Sequence, residues 1–169
     1  MEPQVHARIL RLTFAVNQPQ DPQLTVILNR FGEAWASGAA PDIVAFLPND
    51  AAQRRTVLIE LIMVDLERRW RANASDTATL PPDTNTFPSR PTLEDYVSRY
   101  ADLGEAESLP LELICEEYRV RRLWGDKPGH DEYLRRFSAQ RDELRAALAK
   151  ADDEAAFDAT IDSAPATDG

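Results

Sequence analysis

Asp50-Ala51-Ala52-Gln53-Arg54-Arg55-Thr56-Val57-Leu58-Ile59-Glu60-Leu61-Ile62-Met63-Val64-Asp65-Leu66-Glu67-Arg68-Arg69-Trp70 is the longest helical pattern in the chain. Val57, Leu58, Leu61, Ile62 and Leu66 recur at spacings of three and four, which puts them on one stripe. Ile59, Met63 and Val64 widen that stripe beyond what a single neighbour covers, so the helix is expected at the centre of a bundle with contacts on two sides. Asp50 to Gln53 has capping-box form. The cations Arg68, Arg69 and Arg71 gather in the last turn, where the helix dipole favours them.

The same grammar runs outward in both directions. Trp35 is followed by Pro41 and Phe46, Trp70 by Pro91 and Tyr96, and Trp124 by Pro128 and Tyr133. All three tryptophans hold the same place in this pattern, which predicts an internal repeat: a long amphipathic helix, a turn, and a short helix presenting an aromatic. Neither helix of such a unit can bury its own apolar face, whereas stacked copies share theirs. The predicted fold is all-α, a compact bundle of stacked long-plus-short helix pairs over residues 21–150.

Local signals place the pieces. In residues 1–20, Val5, Ile9, Leu12 and Val16 sit at helical spacing while Leu10, Leu12, Phe14 and Val16 alternate as in a strand. Helix is the preferred reading, because nothing else in the chain reads as a partner strand. Asp21-Pro22 is a helix start, Leu24, Ile27, Leu28, Phe31, Ala34 and Trp35 form an apolar face, and Gly38 suits the C′ position. Pro41-Asp42 opens a short helix to about Leu47. Residues 72–91 hold four prolines among small polar residues and read as a flexible loop. Thr92-Leu93-Glu94-Asp95 caps a short helix carrying Tyr96, Val97 and Tyr100. A long helix from Pro110 to Trp124, a short one from His130 to Phe137 and a last one capped by Ser138 follow. Residues 151–169 are expected to be a disordered acidic linker.

Composition narrows the function. Acidic residues outnumber basic ones 29 to 19, for a net charge of −10, and residues 151–169 alone carry six acids and no base. Counterion release favours basic nucleic-acid binders, so this balance disfavours a DNA-binding helical regulator. The single cysteine, Cys115, allows no intrachain disulfide, and neither a signal peptide nor a membrane-spanning run is evident, so a cytoplasmic location is expected.

No catalytic constellation stands out. His6 and His130 lack cysteine or clustered acid at ligand spacing, so no metal or cofactor is expected. His130 reads as an exposed first-turn residue, and Cys115 as a small core residue. Glu94-Asp95 and Asp131-Glu132 occupy first turns, where acids serve the dipole whatever the function. No glycine-rich phosphate loop occurs. Two arginine clusters beside tryptophans, Arg68, Arg69 and Arg71 with Trp70 and Arg119, Arg121 and Arg122 with Trp124, are the candidate partner-binding residues. Thr160, Ser163 and Thr167 are candidate phosphoacceptors in the tail.

Leu109-Pro110-Leu111-Glu112-Leu113-Ile114-Cys115-Glu116-Glu117-Tyr118-Arg119-Val120-Arg121, Trp124-Gly125-Asp126-Lys127-Pro128 and Glu132-Tyr133-Leu134-Arg135-Arg136-Phe137 resemble the region preceding the catalytic domain in many planctomycete-type serine/threonine protein kinases. So do Arg30 to Trp35 with Pro41-Asp42-Ile43, and Pro91 to Tyr96. The resemblance covers about residues 24–148. No Val-Ala-Ile-Lys, His-Arg-Asp or Asp-Phe-Gly motif is present, so no catalytic residue carries over. It implies a non-catalytic protein-interaction or regulatory module whose partner is a protein, a kinase domain in cis or trans among the options. The alternative is a small all-α ligand-binding or enzymatic bundle with a pocket lined by Tyr96, Tyr118, Tyr133 and the tryptophans.

Overall fold

The computed structural model describes residues 21–74 and 87–162, with side chains to residue 156. Six α-helices are present among them: α1 (Pro22–Ala36), α2 (Ala51–Ala72), α3 (Leu93–Arg99), α4 (Leu111–Trp124), α5 (His130–Arg136) and α6 (Arg141–Asp162). Short 3-10 turns at Ile43–Phe46, Ala101–Leu103, Ala106–Ser108 and Ser138–Gln140 join them, and no strand occurs among the described residues. The all-α expectation holds.

Helix starts follow the sequence closely. Asp21, Asp42 and Asp50 each accept a hydrogen bond from the backbone N–H two residues on, at 2.9, 3.1 and 2.9 Å, satisfying donors that the first turn leaves unpaired. Thr92 and Asp95 form a capping box, with the Thr92 N–H donating to the Asp95 carboxylate at 2.7 Å. Gly38 at φ 104° ends the first unit in a conformation that suits glycine. The first short helix is a 3-10 turn rather than an α-helix.

Central placement of α2 follows from its broad stripe: α1 packs on one part of it and α4 on another, while α6 lies on α4 and α5. Leu58, Leu61, Ile62 and Leu66 are fully buried, and truncating any one to Ala costs about 2–5 kcal/mol. Arg54 pairs with Asp102 at 2.7 Å, and Arg55 donates to the Leu103 and Ser108 carbonyls at 3.3 and 3.0 Å. These contacts tie the α3–α4 connection to the start of α2.

Three expectations need correction. Residues 151–162 are not a disordered linker: α6 continues to Asp162. Its alanines favour helix whatever the net charge, and Leu144 and Leu148 anchor it in the core. The end of the 72–91 loop does pack. Phe87 lies 4.9 Å from the Tyr96 ring, Asn73 donates to the Ser89 carbonyl at 3.1 Å, and Arg90 donates to the Asn73 carbonyl. The tryptophans do not hold equivalent places. Trp35 lies under Arg69, while Trp70 donates to the Pro91 carbonyl at 2.9 Å and abuts Gly125. Trp124 is half-exposed beside Arg119. Residues 1–20, 75–86 and 163–169 lie outside the described residues, and with them the readings made there.

Candidate partner-binding surface

Two of the six candidate arginines are buried at equivalent points of two helices. In α2, Arg69 donates to Asp65 at 2.8 Å, one turn away, and the Tyr96 hydroxyl of α3 donates to the same carboxylate oxygen at 2.7 Å. In α4, Arg121 donates to Glu117 at 3.2 Å, also one turn away, and the Tyr133 hydroxyl of α5 donates to that oxygen at 3.0 Å. Even the stacking neighbours match, Tyr96 with Tyr100 at 6.4 Å and Tyr133 with Phe137 at 6.2 Å. An acid, an arginine four residues later and a tyrosine five residues after a proline therefore hold a long helix to a short element twice. In α1 the same spacing reads Phe31, Trp35 and Phe46, and Phe31 meets Phe46 edge-on at 5.2 Å. There the junction is apolar.

Burial and an acid neighbour push both tyrosine hydroxyls well above their usual range. They stay protonated and donate. Glu117, fully buried, also accepts from both Arg136 terminal nitrogens at 2.7 and 3.0 Å and from the Leu93 N–H at 3.0 Å. Arg136 reaches Glu94 at 2.5 Å, and despite the cost of burial its hydrogen bonds and charge hold that carboxyl below its usual range. Arg121 further grips Asp126 at 2.5 Å and Glu132 at 2.6 Å. A buried, multiply paired guanidinium cannot leave to grip a partner. Arg69 and Arg121 are thus removed from the candidate partner-binding set.

Arg68 and Arg71 are half-buried on α2. Arg119 and Arg122 lie elsewhere, along an open groove of about 410 Å³ between α4 and α6. Tyr118, Arg119, Arg122 and Leu123 form one wall, and Ala151, Asp152, Ala155 and Ala156 the floor and other wall. Leu123 is 52% exposed. Arg119 is forked onto Glu116 at 2.9 and 3.0 Å and lies over the Trp124 ring at 5.8 Å. Arg122 covers the Tyr118 ring at 5.8 Å, with its Nε 4.0 Å from Asp152. The arginine clusters therefore do not form one patch.

Asp152 joins three elements at the groove edge. It accepts from the Tyr118 hydroxyl at 2.8 Å and faces His130 Nε2 at 2.8 Å. The Tyr118 ring meets the His130 ring edge-on at 5.5 Å. Burial, reinforced by Asp152, pushes the Tyr118 hydroxyl up to about 12. His130 is therefore a packed, hydrogen-bonded residue rather than the exposed first-turn residue its position suggested. Asp152 was missed because it looked like one acid in an acidic tail.

Tyr96 and Tyr133 lie in the packed core, while Tyr118 reaches from that core to the wall of the α4–α6 groove. Cys115 is half-buried, its thiol pushed up to about 11 by burial and by Glu112 and Glu116. Among the described residues no group of three His, Cys, Asp or Glu is placed to hold a metal, and no helix is long and apolar enough to cross a membrane. Thr160 lies in α6 with its side chain outside the described set, and Ser163 and Thr167 lie outside the described residues. The chain matches no protein-family model, no curated protein and no solved structure.

Proposed function

We propose that this chain is a non-catalytic protein-interaction module of a serine/threonine protein kinase system, docking a protein partner along the groove between α4 and α6. The observation that carries the reading is the composition of that groove: a half-exposed leucine and two arginines above a floor of alanines. A shallow apolar trough with charges on its rim suits a helix or extended segment, and it offers little enclosure for a small molecule. The acid–arginine–tyrosine junctions support it by holding α4 and α5 rigid beneath the surface, which lowers the ordering cost of binding. The kinase association rests on the resemblance across residues 24–148.

The test is direct capture of a recombinant kinase catalytic domain of the planctomycete type by the full chain. Leu123→Asp with Arg122→Glu should weaken capture at least about tenfold, the scale of a central contact, with the circular dichroism of the helices unchanged. Undiminished capture by that variant would remove the groove from the interface. The ligand-binding alternative draws on one arrangement, His130 and Tyr118 sharing Asp152 beside the groove. It requires saturable binding of a small molecule that His130→Ala abolishes.

A further inference from the structure

We propose that the groove between α4 and α6 is a socket for a large aromatic side chain, tryptophan above all, carried by the docked partner. The proposal rests on the docking role given to that groove above and names the chemistry of its anchor.

The repeat supplies its own template. Each short helix bridges two successive long ones at a matching place. The Leu93 N–H of α3 donates to Glu117 of α4 at 3.0 Å, and His130 of α5 meets Asp152 of α6 at 2.8 Å. Leu93 and His130 each stand three residues before the tyrosine of their helix. Asp152 therefore corresponds to Glu117, as Glu117 corresponds to Asp65. Counted from those acids, Arg122 of α4 holds the place of Trp70 in α2. Ala155 and Ala156 of α6 hold the places of Val120 and Arg121 in α4.

At the α2–α4 junction those places are filled. Trp70 is buried with its ring against Gly125, 6.0 Å from the Arg121 guanidinium and 5.7 Å from that of Arg90. Val120 and Arg121 are buried beside it. At the α4–α6 junction an arginine and two alanines stand instead, and they line the groove of about 410 Å³. What lines it complements an aromatic ring. The Arg122 guanidinium, half-exposed, lies over the Tyr118 ring at 5.8 Å. A planar guanidinium also stacks on a second ring, whose negative face complements its charge. An anionic occupant would meet Asp152, and a small aliphatic one would leave space without packing partners.

Amide-resolved NMR on the full chain, titrated with N-acetyltryptophanamide, tests this. The Leu123 and Ala155 amide signals should shift saturably, and N-acetylleucinamide should bind about tenfold more weakly. Arg122→Trp with Ala156→Arg rebuilds the filling of the α2–α4 junction and should abolish those shifts. If that double variant does not fold, Ala155→Trp occupies the same space with one change. Equal binding of the two amides, or undiminished shifts in a filled variant, would overturn the proposal. Kinase-domain capture that depends on the groove, without any shift from the tryptophan amide, overturns the aromatic anchor alone. Saturable, tryptophan-selective shifts without kinase-domain capture support the anchor and remove the kinase partner.

Discussion

Replacing Glu117 by Gln keeps the side chain's shape and removes the charge on which α3, α4 and α5 converge. The carboxylate is fully buried and accepts from Tyr133, Arg121, the Leu93 N–H and twice from Arg136. An amide can accept at one atom, but its NH2 turns donors toward donors. Removing one member of a buried ion pair costs about 3–5 kcal/mol. The cost should lie near the lower end, about 3 kcal/mol, because Arg121 keeps Asp126 and Glu132 while Arg136 keeps Glu94. With a urea slope of about 2 kcal/mol/M, the unfolding midpoint falls by about 1.5 M. Tyr133→Phe deletes the hydrogen bond the hydroxyl donates to Glu117 and the longer one, 3.4 Å, that it accepts from Arg121, and should cost about 1.5–3 kcal/mol. Combined with Glu117→Gln it should cost less, because the bond to residue 117 is already weakened. Urea titrations read by tryptophan fluorescence and far-ultraviolet circular dichroism measure all three. A midpoint for Glu117→Gln within about 0.3 M of wild type would refute the reasoning. Equal cost of Tyr133→Phe in both backgrounds would refute the coupling.

Gly125→Ala places a methyl group against the Trp70 ring, whose Cε3 lies 2.8 Å from the new Cβ position. It should lower stability by about 1–3 kcal/mol and shift Trp70 emission; an unchanged urea midpoint would count against that contact. The Cys115 thiol, pushed up to about 11, should react with a disulfide reagent at pH 8 about two hundred times more slowly than the urea-unfolded chain, from thiolate fraction alone. Comparable rates would contradict it. Burial, with Glu112 adding to it, holds the Glu60 carboxyl above its usual range. A carboxyl raised on folding disfavours the folded state at neutral pH, and the penalty fades as pH falls below the folded pKa. Glu60→Gln should therefore raise the melting temperature at pH 7, with the gain shrinking toward pH 4; a gain independent of pH would refute this account.

Much of the fold was legible because it rests on local rules. Asp21, Asp42, Asp50 and Thr92 announced helix starts, and the breadth of the Val57–Leu66 stripe announced a central helix. The junctions were not legible, since the tryptophans, the most conspicuous recurring residues, do not mark the register. Trp35 occupies the position that Arg69 and Arg121 hold in the other units, while Trp70 and Trp124 fall one and three residues later relative to that arginine. The signal that would have found the register was available: an acid and an arginine four apart on a long helix, then Pro and an aromatic five residues on. It was obscured because Asp65, Arg69, Glu117 and Arg121 look like ordinary surface charges in a linear string. Burial, which periodicity alone does not assign to charged residues, is what distinguishes them. The end of the chain failed for the opposite reason, as net charge outweighed the helix preference of α6's alanines.

The apolar junction in α1 bears on why the other two are ionic. Phe31 and Phe46 show that this architecture can join a long helix to a short element through a ring contact rather than an ion pair. A buried ion pair contributes little net stability over well-packed apolar side chains. Its directional bonds instead penalise any other register, because a shift of one residue strands a charge. The ionic junctions sit on α2 and α4, and the latter forms one wall of the groove. Fixing the rotation of α4 fixes where Leu123 and Arg122 point, and the docking role proposed for the groove needs that more than it needs extra stability. Replacing Glu117, Arg121 and Tyr133 together by Phe, Trp and Phe strips Arg136 and the Leu93 N–H of Glu117 and should cost about 3–5 kcal/mol. Capture, measured where circular dichroism shows the variant fully folded, should be weakened. Retention of full capture by that triple variant would show that register control is not what the charges are for.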